Sequence, residues 1–233
     1  MEHPVIKLQF DQRLDRDMAW SFYGHKKGGC DFWEERALRY HPVLIDIEKS
    51  SDKKAFLDNY VSSYYISHND EIISFSNKTI EYLNQTQEKY FPLVDKIFNN
   101  HPWPQKEMIG DFSIFDFCPR FLEDGEFQVC IYDERNVQLF VIFHECLHFM
   151  FYDFALNKFP EIFAGIDTGS GKFWVLAEVF NAVIQSTDDF VGLHGKIDNI
   201  GYPDHQELIR KGSLMWKEDA SVPNWISKML GLV

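Results

Sequence analysis

The order of apolar and polar positions divides the chain into elements with helical, alternating and turn-like character. Val5–Phe10 reads as a short strand, and the glycine-rich Gly24-His25-Lys26-Lys27-Gly28-Gly29 as a flexible loop. Lys53–Ser67 and Asp70–Asn99 carry apolar residues at helical spacing and are long enough to form an antiparallel helix pair. His101-Pro102-Trp103-Pro104 breaks that pattern. It separates an N-terminal, mainly helical part, 1–100, from a second part, 101–233, within one compact domain. Beyond it, Met108–Phe117 and Glu126–Tyr132 are strand-like runs joined through Glu123-Asp124-Gly125-Glu126, the pattern of a hairpin. A strongly apolar run over 139–152 follows, then a loop marked by Asn157, Pro160, Gly165, Gly169 and Gly171. Phe173–Gln185 is apolar nearly all round and reads as a buried helix, and a last amphipathic helix runs from about Asp204 to Trp216. The pattern predicts an α+β fold, mostly helical, with a small antiparallel hairpin directly before the first apolar helix.

Three polar residues interrupt that first apolar run, in His144-Glu145-Cys146-Leu147-His148, which reads H-E-x-x-H. Histidines four apart on a helix lie one above the other on the same face. Their ring nitrogens can then bind one Zn2+ at about 2.0–2.1 Å. Glu145 lies roughly 100° around the helix from His144, beside such an ion and not on it. A carboxylate there can take a proton from metal-bound water. Burying these groups without partners would cost several kcal/mol, which a metal ion would offset.

A catalytic zinc usually has three protein ligands. The extended motif H-E-x-x-H-x-x-G-x-x-H is excluded, because Phe151 and Phe154 stand where its glycine and third histidine would be. On the second apolar helix the few polar residues, Glu178, Asn181 and Gln185, fall at i, i+3 and i+7, on one face. Glu178 is the favoured third ligand, with Glu161 and Asp167 in the intervening loop as alternatives. Asn181 can accept a histidine ring N–H or bond to neighbouring backbone.

With the glutamate on a later helix, the arrangement resembles the gluzincin metallopeptidases, the thermolysin-like superfamily. The resemblance covers His144 to Gln185 and includes Trp174-x-Leu176-x-Glu178, which is similar to the approach to the glutamate in some aminopeptidases of the group. It implies a zincin-like catalytic part over 101–233, with Zn2+ held by His144, His148 and Glu178. Glu145 would be general base and proton shuttle in hydrolysis of a peptide or protein substrate. A sheet edge flanks the cleft in that family, and Phe127–Tyr132 is the segment expected there, an ordinary core hairpin being the other reading. A tyrosine or histidine from outside the zinc helices stabilises the oxyanion, and Tyr202 and His205 are the candidates, with His194 a third. The aminopeptidase G-x-M-E-N stretch and the N-A-F-type edge strand are absent. Ala182 stands where thermolysin-like enzymes have an aspartate. The alternative reading is a zinc-containing binding or regulatory domain without turnover, or a structural site closed by His205 or His194. An unligated carboxylate such as Glu145 favours chemistry, since a closed site has no use for one.

Composition narrows this further. Hydrophobic residues make up 45 % of the 233, with 22 Phe, enough for a substantial core. A formal charge of −13 argues against non-specific nucleic-acid or anionic-membrane binding, since both need positive surface. Cys30, Cys118, Cys130 and Cys146 show no C-x-x-C spacing and suggest no disulfide framework. The first residues lack a signal-peptide pattern, and no run of about 18 apolar residues is present. The expectation is a soluble, cytoplasmic protein.

Overall fold

Val5–Phe10 form strand β1, in which Ile6 is buried while Lys7 and Gln9 face solvent. Asp11 caps helix α1 (Gln12–Ser21), its carboxylate accepting from the Arg13 and Leu14 amides at 2.8 and 3.1 Å. The computed structural model describes residues 3–198 and 200–233. The segment expected as a flexible loop contains an antiparallel hairpin, β2 (Lys26–Lys27) and β3 (Cys30–Asp31), turned by Gly28 and Gly29 at φ of 61° and 81°. A π-helical turn (Phe32–Ala37), α2 (Leu38–Tyr40) and a 3-10 stretch (Pro42–Lys49) lead into α3 (Lys53–Ser67) and α4 (Asn69–Ile97). The last two sit where the apolar spacing places them, but α3 packs mainly on α1 rather than on α4.

The expected antiparallel hairpin before the motif helix is not there. Strands β4 (Glu107–Ser113) and β6 (Glu126–Cys130) pair parallel, and β1 pairs parallel with β4. Only the two-residue β5 (Arg120–Phe121) runs antiparallel to β6, giving the order β1-β4-β6-β5. The small antiparallel hairpin of the molecule is β2–β3, far earlier in the chain. The physical reason is a second chain reversal. Cys118, at a φ of 48°, and Pro119 turn the chain once, and the turn at Gly125, at a φ of 70°, turns it again. Two reversals restore the original direction, so β6 runs alongside β4 rather than against it. Nor is Phe127–Tyr132 a sheet edge, because β5 and the Gln128 amide bond to the Pro119 carbonyl (2.9 Å) cover it. The edge on that side is β5.

Helix α5 (Arg135–Lys158) carries the H-E-x-x-H motif. It is followed by α6 (Pro160–Phe163), α7 (Gly171–Gln185), α8 (Asp188–His194), a 3-10 turn (Pro203–His205), α9 (Gln206–Glu218) and α10 (Val222–Met229). Although polar residues interrupt its apolar run, α5 is long and apolar enough to cross a membrane by length and composition. Yet 72 % of its most apolar window is buried inside the fold, as in the core helix of a soluble protein. Gln138 locks its first turns, donating to the Cys130 and Ile131 carbonyls at 2.9 and 3.1 Å and accepting from Thr79 of α4 at 2.6 Å. Tyr90 of α4 stacks on Phe143, with ring centroids 4.4 Å apart, and donates to its carbonyl.

A buried carboxylate joins the sheet to the N-terminal helices. Asp15 of α1 accepts from Tyr65 of α3 (2.7 Å), the Ile114 amide (3.0 Å) and Gln128 of β6 (2.9 Å). Burial pushes its pKa up from 3.8 to about 6, further than these hydrogen bonds pull it down. Between those two values the folded state holds the proton more tightly than the unfolded chain. The contribution of this group to stability therefore falls as pH rises, by roughly 3 kcal/mol in total. Asp15→Asn has no such titration. The stability gap between wild type and Asp15→Asn should therefore narrow by about 2–3 kcal/mol between pH 4 and pH 7 in urea unfolding. A gap that stays constant over that range would show that Asp15 titrates alike in both states.

Candidate metal centre

The polar stripe of α7 faces α5 and sets the register between the two helices. The Gln185 side-chain amide donates to the Phe140 carbonyl at 3.3 Å and that of Asn181 to the His144 carbonyl at 2.7 Å. One turn further on, Glu178 comes to His144 and His148. Its Oε2 is 3.4 Å from His144 Nε2, and its Oε1 is 3.5 Å from His148 Nε2. The two Nε2 atoms are 3.0 Å apart. His144, Glu145 and His148 form a candidate metal-binding cluster, their donor atoms within 4.8 Å of one another. Asn181 thus serves the backbone of α5 and not a histidine ring.

Three contacts of 3.0, 3.4 and 3.5 Å link His144, His148 and Glu178. The two imidazole nitrogens each face a different oxygen of Glu178, so the carboxylate lies beside both and can complete a donor set for one ion. The protonation states fit as well. Burial first, then the field of a neighbouring arginine, holds His148 far below its usual pKa and therefore neutral, the form that ligates. Its approach to Glu178 is accordingly no ion pair. Burial alone would raise the Glu178 carboxyl, but the imidazoles and the arginine outweigh it and keep the group ionised. The Nδ1 atoms of both histidines are buried without hydrogen-bond partners. The carboxylate or carbonyl that usually receives such an N–H is missing among the described residues.

That arginine is Arg120, on β5, and nothing in the sequence singled it out. Its guanidinium donates to Glu178 Oε1 at 2.9 Å and to the Tyr152 hydroxyl at 3.1 Å, and lies 3.8 Å from Glu145. Tyr152 in turn donates to the Thr168 carbonyl at 2.8 Å, tying the site to the loop before α7. The only sequence signal was a charged residue among apolar neighbours, Pro119-Arg120-Phe121-Leu122, which the misplaced hairpin hid. Glu145 is 4 % exposed, and its Oε2 makes no hydrogen bond. Burial is the main force lifting its pKa to about 7, with His144 and Arg120 opposing.

The remaining candidates are distributed around this cluster. Tyr202 lines both cavities that flank it, one of about 820 Å³ containing His144, Glu145 and Glu178, the other of about 300 Å³. Burial raises its hydroxyl pKa, so it stays protonated. His205 packs behind it, edge-on to Trp174 at 5.1 Å between centroids. His194 bonds to the Gly195 carbonyl at 2.6 Å and packs against Phe140. Glu161 is exposed on α6, and Asp167 spends its carboxylate on the Gly169 amide (2.8 Å) and the Ser170 hydroxyl.

Comparison of the chain with protein-family models, curated proteins and solved structures finds no match. The site is therefore read from its own geometry.

Among the described residues, Arg120 is the one guanidinium in contact with two buried carboxylates. Replacing it by Met should destabilise the metal-free protein by about 3–5 kcal/mol in urea unfolding. A change in the range of a surface pair, about 0–1 kcal/mol, would show that Glu145 and Glu178 need no counter-charge.

Proposed function

We propose that the protein is a zinc-dependent peptidase of the gluzincin type, with His144, His148 and Glu178 as the metal ligands. The observation that carries this reading is Glu145 itself, which lines a cavity of about 820 Å³ beside His144, His148 and Glu178 and whose buried Oε2 has no hydrogen-bond partner among the described residues. A divalent ion bound there supplies Lewis acidity, polarising a carbonyl and acidifying a water molecule. Glu145 supplies the proton transfers: its carboxylate takes a proton from the attacking water and delivers it to the nitrogen of the departing amine. Arg120 holds Glu178 ionised and oriented, and its charge offsets one of the two carboxylates. The protonated Tyr202 hydroxyl is the donor for the developing oxyanion, and His205 supports the ring from behind. The substrate is a peptide that occupies the larger cavity.

The rival reading is a binding domain in which Arg120 alone balances the carboxylates and no metal is held. The 2.9 Å Arg120–Glu178 contact favours it to that extent. Metal content separates the two. Protein purified without chelators should hold close to one zinc per chain, and His148→Ala should hold none; stoichiometric zinc in that variant would sink the ligand assignment. Glu145→Gln, which keeps the shape and the ligands, should retain zinc while losing at least about a hundredfold in peptide hydrolysis, followed on a mixed peptide library by mass spectrometry. Equal cleavage by both proteins would remove Glu145 from the mechanism.

A further inference from the structure

The smaller cavity adjoins the larger one that holds the metal cluster, and Phe117, Cys118, Arg120 and Tyr202 line both as a common wall. Its sides are aromatic. Phe22 stacks on Phe117 with centroids 4.6 Å apart, and Trp174 meets Tyr202 at 5.1 Å. Glu123 and Arg120 also line the cavity, and into it comes a cation with no carboxylate within ion-pair distance among the described residues: Lys27, from the β2–β3 hairpin. Its ammonium sits 3.9 Å over the Trp174 ring and donates to the Gly169 carbonyl, so two of its three hydrogens have no assigned acceptor. Asp167, the nearest acid on the neighbouring loop, is occupied by Gly169 and Ser170. Burial first, then the field of Arg120, lowers the pKa of the ammonium, with the charges of Glu178 and Asp167 opposing.

The position of Lys27 is built and not incidental. A Cβ on Gly28 would come within 2.6 Å of the Tyr202 ring, and one on Gly29 within 2.7 Å of Asp204. The Gly28 carbonyl accepts from the Asp204 amide at 3.2 Å. The hairpin is thus pressed against the segment that carries Tyr202, and this aims Lys27 inward. Arg120 has Glu178 as its counter-charge, so Lys27 is the cation of this cavity whose remaining donors an anion would satisfy.

We infer that the smaller cavity is the seat of a peptide's C-terminal residue, its free carboxylate held by Lys27 beside Arg120 and its apolar side chain among the aromatic rings. This rests on the peptidase reading and gives it a substrate class: the protein is a carboxypeptidase that releases single apolar or aromatic residues. The body of the peptide extends past the shared residues into the larger cavity, which Glu145 lines. In the reaction one water adds across that bond. Its oxygen joins the carbonyl carbon, the C–N bond breaks, and the proton held by Glu145 passes to the amine of the released amino acid.

Binding tests the pocket without turnover. N-acetyl-phenylalanine and N-acetyl-phenylalanine amide should be titrated into wild type, Lys27→Met and Lys27→Arg by calorimetry, with and without added zinc. A charge-assisted hydrogen bond predicts that wild type prefers the acid by about tenfold or more. Lys27→Met should bind both probes alike, and Lys27→Arg should restore the preference. Equal binding of acid and amide by wild type, or an undiminished preference in a folded Lys27→Met, would overturn the proposal. So would displacement by inorganic phosphate together with equal affinity for N-acetyl-glycine, which would mark a general anion site. On peptides, loss of one C-terminal residue from the free acid but not from its amide supports it, while equal internal cleavage of both overturns it and leaves the peptidase reading intact. Preference for the acid with no cleavage would keep the pocket and sink the peptidase.

Discussion

Two side-chain amides of α7, Asn181 and Gln185, hold carbonyls of α5 that already take part in its helical ladder. A carbonyl oxygen has a second lone pair, so the grip costs the helix nothing, and in a buried interface it admits only one sliding position. A shift of α7 by one turn would leave both amides facing apolar side chains and carry Glu178 away from His144 and His148. Packing alone would not be so selective. The surrounding surfaces, rich in Phe and Leu, could meet in several registers with similar burial. The donor geometry follows from this polar pairing, and Arg120 and Glu145 then act on a carboxylate whose position is already determined.

Those amides also explain what was legible beforehand. Polar residues on an otherwise apolar helix must converge on something, and the i, i+3, i+7 spacing of Glu178, Asn181 and Gln185 told which face would meet α5. The helices over 53–67 and 173–185 and the strand over 5–10 follow from local periodicity and appear with those bounds, or nearly so. Sheet direction does not follow from local pattern. Turn residues at 123–126 were read correctly as a reversal, but the companion reversal at Cys118 needs a left-handed backbone at a residue that rarely adopts it, and no composition signal announces that. Arg120 was lost with it, since its role depends on which strand forms the edge. Lys27 was hidden for a related reason. Two lysines among glycines resemble a solvated loop, and only long-range contact with Tyr202 and Trp174 turns one of them inward.

Charge is handled sparingly in this centre. Two buried carboxylates, Glu145 and Glu178, share the one guanidinium of Arg120, and His148 beside them is neutral. A divalent ion would overcompensate the site and draw in an anion, and the ammonium of Lys27 across the shared wall adds to the same pull.

The site also has two histories of assembly within one chain. Helices α5 and α7 are near neighbours in sequence, separated only by α6 and a loop, and their docking closes a short segment. The opposite wall needs the hairpin at Lys26–Asp31 to meet the turn at Pro203–His205, a closure that spans most of the protein. Loop-closure entropy and contact order rank these events differently. The donor cluster belongs to the quickly formed, local half of the fold, whereas the aromatic chamber depends on one of its most distant contacts. A partly folded chain can therefore hold the former without the latter, and enclosure arrives last.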